Sequence, residues 1–184
     1  MRVGTSADYA PFSQPGSGPA DPTGFDVEIA RAYARDAGAT LSLERFRWPA
    51  LLDDLERGAF DVAMSGVTLR PERSIRGRFG VPVASSGALV LTDPARAAGG
   101  LAGLDRPEIR IAVNQGGHLE RVARAHFPRA RLLPQPENDA VRRALAEARV
   151  DAVVTDTLEA PHWQRSLPGT VRLGPFTRDR KAHL

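Results

Sequence analysis

Strand-like runs alternate with helical periodicity along this chain in two successive rounds, and that alternation restricts the possible folds more than any other feature. "RVGTS" reads as a strand and leads into a Pro-, Gly- and Ser-rich loop from Asp8 to Thr23. In "GFDVEIARAYARDAG", Phe25, Val27, Ile29, Ala30 and Tyr33 then recur at the spacing of an amphipathic helix that Gly38 ends. "TLSLERF" reads as a strand, "WPALLDDLERG" as a helix with Pro49 in its first turn, and "FDVAMSG" as a buried strand. After "VPVASSGALVLT" the rhythm restarts: strand "RIAVN", helix "GHLERVARAHF", strand "ARLLPQ", helix "NDAVRRALAEARV", strand "DAVVTD", helix "TLEAPHWQRS", strand "TVRLG". Two such rounds predict two α/β lobes joined near Ser85 to Val90, with residues 1–87 in lobe 1 and 88–184 in lobe 2. Ligands of open parallel sheets collect at the carboxyl ends of strands, so the loops there are the ones to search.

Composition removes several classes of function. The chain has 184 residues, 42% of them hydrophobic, which is enough to bury a sizeable core. No run approaches the roughly 18 apolar residues of a membrane span. Met1 is followed by strand-like residues rather than a basic-then-apolar leader, so any export signal is expected to be absent from this chain. With no cysteine there is no thiol nucleophile, thiolate metal site or disulfide. The net charge of +3 comes from arginines interleaved with Asp and Glu, without a basic block carrying aromatics, so nucleic acid is not an expected partner. Lys181 is the sole lysine and lies close to the chain end, which argues against Schiff-base chemistry. His118, His126, His162 and His183 form no H-x-x-x-H pair, and Glu159 with His162 is a single E-x-x-H, so no metal is expected. There is no G-x-S-x-G elbow for a serine hydrolase.

Three loops fall at predicted strand ends. In "MSGVTLRPERS", Ser65, Gly66 and Thr68 offer hydroxyl and backbone donors, and Arg73 offers a planar fork suited to a carboxylate; the plainer alternative is a turn with a solvated arginine. In "VNQGGHLER", two glycines precede a helix start whose free N–H groups would face an anion, although a Gly-Gly turn is common. In "DAVVTDTLEAPHW", Asp156 as N-cap with Glu159 three residues on satisfies a capping box, which leaves Glu159 open to being either a cap or a proton donor.

The order of these pieces carries a resemblance. "GTSADYAPFS", "GFDVEIARAYA", "FRWPALLDDLERGAFDVAMSGVTLRPERS", "IAVNQGGHLERVAR" and "DAVVTDTLEA" together resemble the family 3 extracellular solute-binding proteins, the amino-acid-binding components of ABC importers. Tyr9-x-Pro11-Phe12-Ser13, Trp48-Pro49, "AMSG", Asn114 ahead of Gly116-Gly117, and "TDTLEA" look most similar to the cyclohexadienyl dehydratase branch of that superfamily. The resemblance implies a type II, periplasmic-binding-protein-like α/β fold of two lobes, with the ligand in the inter-lobe cleft. It also implies an exported, periplasmic protein, and an importer membrane complex as partner if the chain only binds.

Site roles follow from the same resemblance. Arg73 would hold a ligand carboxylate with help from Ser65, Gly66 and Thr68, and Asp156 would take a ligand ammonium. Tyr9, Trp48, Asn114, Gly117 and His118 would enclose and orient the substrate, and Glu159 would be the general acid. Where the dehydratases carry Thr-Asn after the paired glycines this chain has His118-Leu119, which removes an amide hydrogen bond expected near the acid. Prephenate or arogenate would lose water and carbon dioxide together once the ring hydroxyl is protonated, which needs an acid and a carboxylate clamp but no cofactor or metal. A glutamic acid desolvated on closure would keep its proton near neutral pH. The same pocket without such an acid would be a plain receptor for an amino acid or organic acid. Family members continue beyond "RDRKAHL" with elements that close the fold, so closing C-terminal elements are expected to be missing and an apolar surface exposed near Leu184.

Overall fold

In the computed structural model, which describes residues 1–18 and 21–184, β1 (Arg2–Thr5) lies between two parallel neighbours. The chain leaves β1 through the opening loop, whose residues 19 and 20 lie outside the described ones, and crosses by α1 (Phe25–Asp36) to β2 (Ser42–Arg45). A 3-10 turn over Trp48–Ala50 and α2 (Leu51–Glu56) then lead to β3 (Val62–Ala63) on the other side of β1. This is the predicted βαβαβ pattern, with β3 much shorter than its apolar run.

The helix at α1 is as expected, but its inward face is not. Val27, Ala30 and Ala34 are buried together with Asp26, whereas Phe25, Ile29 and Tyr33 are exposed, Tyr33 at 62%. Apolar spacing alone placed those three inside. The inward turn of Asp26 has a definite partner, the Gly66 N–H, and helical geometry then carries positions 25, 29 and 33 outward. A short helix α3 (Pro71–Ser74) and β4 (Ala84–Ser86) follow.

The second sheet begins with β5 (Ala88–Thr92), after which the short helices α4 (Pro94–Ala97) and α5 (Gly100–Leu104) lead to β6 (Arg110–Asn114). Then come α6 (His118–His126), β7 (Arg131–Gln135), α7 (Asn138–Ala146), β8 (Ala152–Asp156), α8 (Ala160–Gln164) and β9 (Val171–Leu173). The strand order is β7-β6-β8-β5-β9. β6 runs parallel to β7 and β8, but β5 is antiparallel to both β8 and β9, so this sheet is mixed rather than parallel throughout.

Alternation along β5 splits its side chains between two cores, Ala88 and Val90 on one face and Leu89 and Leu91 on the other. Leu119, Ala123 and Phe127 cover the first face, and Val141, Ala144, Ala160 and Trp163 the second. Both faces being covered explains why every residue of β5 and β8 is buried and why their sequences read as continuous apolar runs. Helices α4 and α5 were not foreseen, although Asp93 before Pro94 is a legible start signal: its side chain accepts from Ala95 N at 2.8 Å.

The chain divides into two compact units, Met1–Ser85 with Asp179–Leu184, and Ser86–Arg178. The last residues therefore belong to the first unit and not, as expected, to the second. After β10 (Asp179–Lys181), Ala182 N donates to Val67 O, and Leu184 and Ala63 exchange backbone hydrogen bonds of 3.1 and 2.6 Å. Leu184 itself is 4% exposed, buried by this return along β3, whereas it was expected to stand at an exposed apolar surface. No helix among the described residues is long and apolar enough to cross a membrane.

Asp151, just before β8, supplies a stability test. Desolvation pushes its carboxyl up, but hydrogen bonds from the Arg110 side chain and backbone N–H, with the charges of Arg96 and Arg110, outweigh that and hold it below the usual range. A depressed folded-state pKa gives stability that is complete above the unfolded value and lost as pH falls through the folded one. Asp151→Asn should lower stability at neutral pH by about 1–3 kcal/mol and flatten the acid limb of stability against pH, read by thermal melts from about pH 7 to about pH 3.

Candidate functional site

In the first unit the expected residues gather around Thr68. Its carbonyl accepts from Arg73 Nη1 at 3.0 Å, and its hydroxyl accepts from Lys181 Nζ at 2.9 Å. Lys181 Nζ also lies 5.0 Å from the centre of the Tyr9 ring, and Tyr9 meets Trp48 edge-on at 6.0 Å between centroids. Arg73 closes the group, with Cζ 5.9 Å from the Trp48 ring centre, and Trp48 Nε1 donates to Asp8 Oδ1 at 3.2 Å.

Arg73 is the unusual member. It is 2% exposed, its Nε has no hydrogen-bond partner, and no carboxylate among the described residues pairs with it. Burial pushes its guanidinium down to about 9, with the nearby Arg70 charge adding to the effect and Glu72 opposing it. At neutral pH the group is therefore still a cation. Other arginines are paired with carboxylates, as in Arg76 with Asp53 and Glu56, or Arg124 with Glu120.

Ser65 and Gly66 are placed differently from the expectation. Ser65 Oγ lies 2.8 Å from Ser6 Oγ and 2.5 Å from Ser13 Oγ, and accepts from Ser6 N at 3.1 Å, so its hydroxyl is bound up inside the unit. The Gly66 N–H, expected to face a ligand, donates to Asp26 Oδ2 at 2.6 Å. Asp26 is fully buried, and its Oδ1 lies 3.1 Å from His183 Nε2. Ser65 and Gly66 thus shape the loop that carries Thr68 and Arg73.

In the second unit the carboxyl ends of β6, β7 and β8 bring another set together. Asp156 ends β8, and its Oδ1 accepts from the N–H groups of Leu158 and Glu159 at 2.9 and 3.0 Å, which is the capping half of the predicted box. Glu159 stands at the N-cap of α8, fully buried, and its oxygens accept from Asn138 Nδ2 at 3.2 Å and Thr155 Oγ1 at 2.8 Å. Asn138 Oδ1 in turn accepts from Asn114 Nδ2 at 2.6 Å.

Gly117 is the N-cap of α6, and His118 is the first residue of that helix. The Gly116 N–H, expected to await an anion, is taken by Glu120 Oε2 at 2.6 Å. Leu119 lies in the apolar core under the sheet, and the side-chain amide beside Glu159 belongs to Asn138.

Asn138, Thr155, Asp26, Lys181 and His183 were missed by sequence reading. Asn138 was legible only as a helix start, and Lys181 only as a lone lysine, because their partners lie far away in the sequence. A cavity of about 770 Å³ in the second unit, bordered by Arg96, Arg110, Asp151 and Thr170, contains none of the expected residues. Among the described residues no group of three or more His, Asp or Glu could hold a metal ion.

Comparison with known proteins places this geometry. Residues 1–160 match the family model of the bacterial extracellular solute-binding proteins, family 3. A cyclohexadienyl dehydratase of Pseudomonas aeruginosa is 33% identical, over 100% of this chain and 70% of that protein. An L-cystine-binding protein of Escherichia coli is 27% identical over 87% of this chain, and the chain spans 60% of that protein. Among solved structures, an ancestral amino acid-binding protein described as a precursor of cyclohexadienyl dehydratase matches with a TM-score of 0.91 at 30% identity, over 100% of this chain and 80% of its own. A putative ABC transporter binding component of Wolinella succinogenes, complexed with lysine, matches with a TM-score of 0.91 at 25% identity and the same coverage.

Gly66 tests how the loop is held. Its φ is +61°, and a Cβ there would lie 2.5 Å from the Phe12 ring and 2.6 Å from that of Tyr9. Gly66→Ala should therefore cost about 2–4 kcal/mol, combining the left-handed penalty with overpacking, read as a lowered denaturation midpoint.

Proposed function

The chain belongs to the bacterial extracellular solute-binding proteins, family 3, and from that membership we propose that it is a receptor for a small amino acid or organic acid, anchored by a carboxylate at Arg73. The observation that carries this reading is the buried guanidinium itself. Removing a charge from water costs several kcal/mol unless an opposite charge and hydrogen bonds compensate it, and no carboxylate of the described residues does so for Arg73. A ligand carboxylate would supply both the charge and a bidentate pair. Trp48 and Tyr9 provide apolar walls beside it, and Thr68 fixes the guanidinium from below. The names of related proteins, among them an ABC transporter arginine-binding protein of Escherichia coli, support delivery to an importer and a place of action outside the cytoplasmic membrane.

A second reading, dehydration of prephenate or arogenate, is favoured by one specific feature, the complete burial of Glu159 among Asn138, Thr155 and Asp156. Both oxygens of this glutamate accept from side chains, Asn138 and Thr155, which a helix cap does not need. On this reading Glu159 protonates the ring hydroxyl, water and carbon dioxide leave, and the ring becomes aromatic. Asn114 and His118 are the proposed orienting groups, and Asp156 fixes the turn on which the acid stands.

Calorimetric titration with L-arginine, L-lysine, L-cystine, L-phenylalanine and prephenate tests the receptor reading. At least one carboxylate should bind, and Arg73→Lys, which keeps the charge but loses the fork, should weaken it by about 1.5–3 kcal/mol. Unchanged affinity would remove Arg73 from the site. Incubation with prephenate and arogenate, followed by assay for phenylpyruvate and phenylalanine, tests the dehydratase reading. Glu159→Gln should then lower kcat by about two to four decades with the melting temperature nearly unchanged. An active Glu159→Gln protein would return the residue to a structural role.

A further inference from the structure

The side chains around Glu159 pass hydrogen bonds in one direction and leave one acceptor over. Asn114 donates to Asn138, and Asn138 and Thr155 donate to Glu159. The direction has a chemical cause. With Glu159 ionised, its carboxylate has no proton to give, and Asn138 then turns its NH₂ toward Glu159 and its oxygen toward Asn114. Asn114 then spends its own NH₂ on Asn138, and what it has left is Oδ1. That atom is buried and has no partner among the described residues, on a residue 4% exposed. Leaving a buried acceptor unmet is costly, and a ligand hydroxyl or ammonium would meet it.

We infer that Asn114 and Asn138 form a relay of two reorientable carboxamides, through which the protonation state of Glu159 sets whether Asn114 offers a ligand an acceptor or a donor. When Glu159 takes a proton on Oε1, its O–H donates to Asn138 Oδ1 after that carboxamide turns by about 180°. Asn138 Nδ2 then donates to Asn114 Oδ1, and the Asn114 NH₂ becomes the free group. Thr155 donates to Oε2 in both states. The proton goes no further than Glu159, and the rest is rotation about two side-chain bonds whose backbones are fixed at the end of β6 and the start of α7.

The ionised state selects ligands that present an ammonium or hydroxyl, and the protonated state those that present a carbonyl or carboxylate. The ligand consequence rests on the dehydratase reading above, in which Asn114 orients the ligand; the relay itself does not. Other titratable groups stand on the same elements: Asp156 at the end of β8, His118 and Glu120 on α6, Glu137 and Asp139 at the start of α7, and His162 on α8. Glu120 is engaged with Gly116 and Arg124, and Asp139 with Arg142 and Arg143. The test therefore removes Glu159 itself.

In isotope-labelled protein titrated from about pH 3 to about pH 9, the NH₂ resonances of Asn138 and Asn114 should move with the midpoint of the Glu159 carboxyl carbon. Both movements should vanish in Glu159→Gln. In Asn138→Leu the Glu159 carboxyl should still titrate while Asn114 no longer follows; if that variant does not fold, the wild type and Glu159→Gln decide. A Glu159 that titrates with Asn114 unmoved, an Asn114 that moves equally in Glu159→Gln, or a Glu159 carboxyl that does not titrate in this range would each overturn the relay. A binding arm uses phenyllactate and phenylpyruvate, which share a carboxylate and differ in offering a hydroxyl donor or a carbonyl acceptor. Their affinity ratio should change by about tenfold across the Glu159 midpoint, and a constant ratio would overturn the ligand consequence. Binding of neither acid counts against the carboxylate-receptor reading and leaves the resonance titration to judge the relay.

Discussion

Asp26 is a fully buried carboxylate, and much of the first unit is arranged to make that tolerable. Such a group needs hydrogen bonds on both oxygens, and it has them, from the Gly66 N–H on one side and the His183 ring on the other. These contacts join the first turn of α1, the loop after β3 and the returning C-terminal segment at one point. The loop held in this way is the one that carries Thr68 and Arg73. Fixing Gly66 at φ +61° against the Tyr9 and Phe12 rings leaves the following residues little choice of path. The position of the buried guanidinium is thus decided some distance from the guanidinium itself.

The same carboxylate explains why α1 was located correctly from the sequence while only Val27 and Ala30 of its expected apolar face turned inward. Apolar spacing identifies a helix because several residues must share a face, but Phe25, Ile29 and Tyr33 compete with Val27, Ala30 and Ala34 for the inward side. The winner is set by a polar contact to Gly66, forty residues away, and no local pattern reports it. In the second unit β6 and β8 were legible because both faces of the sheet are covered and their runs are almost continuously apolar, and α6 and α7 because their apolar residues recur at helical spacing. The antiparallel entry of β5 was not legible, since an apolar run reads the same in either direction.

Legibility of the site follows a similar division. Arg73 and Glu159 were singled out in loops at predicted strand ends, each beside a plainer alternative, and their expected roles came from the resemblance. Their burial, which gives them meaning, depends on neighbours brought by the fold. Ser65 and Gly66 illustrate the converse. Both have the right chemistry for ligand contact and stand at the right strand end, yet Ser6, Ser13 and Asp26 occupy their hydrogen-bonding groups. A donor in a sequence is only a potential donor, and whether it is spent is a tertiary fact.

Leu119 and Asn138 carry that point furthest. Replacing an expected amide with leucine would strip a hydrogen bond from a buried acid if the amide had no substitute, and a lost bond to a buried charged group is expensive. Here the leucine joins the apolar core on one face of the sheet, and an asparagine opening the next helix supplies the bond. The acid therefore has an amide partner although position 119 supplies none. That partner is itself bonded to another amide, and this is what turns a single hydrogen bond into a directional chain ending at Asn114. Polarity at the end of such a chain is not a property of Asn114 alone. It is fixed at the other end, by whether the carboxyl group of Glu159 has a proton to give.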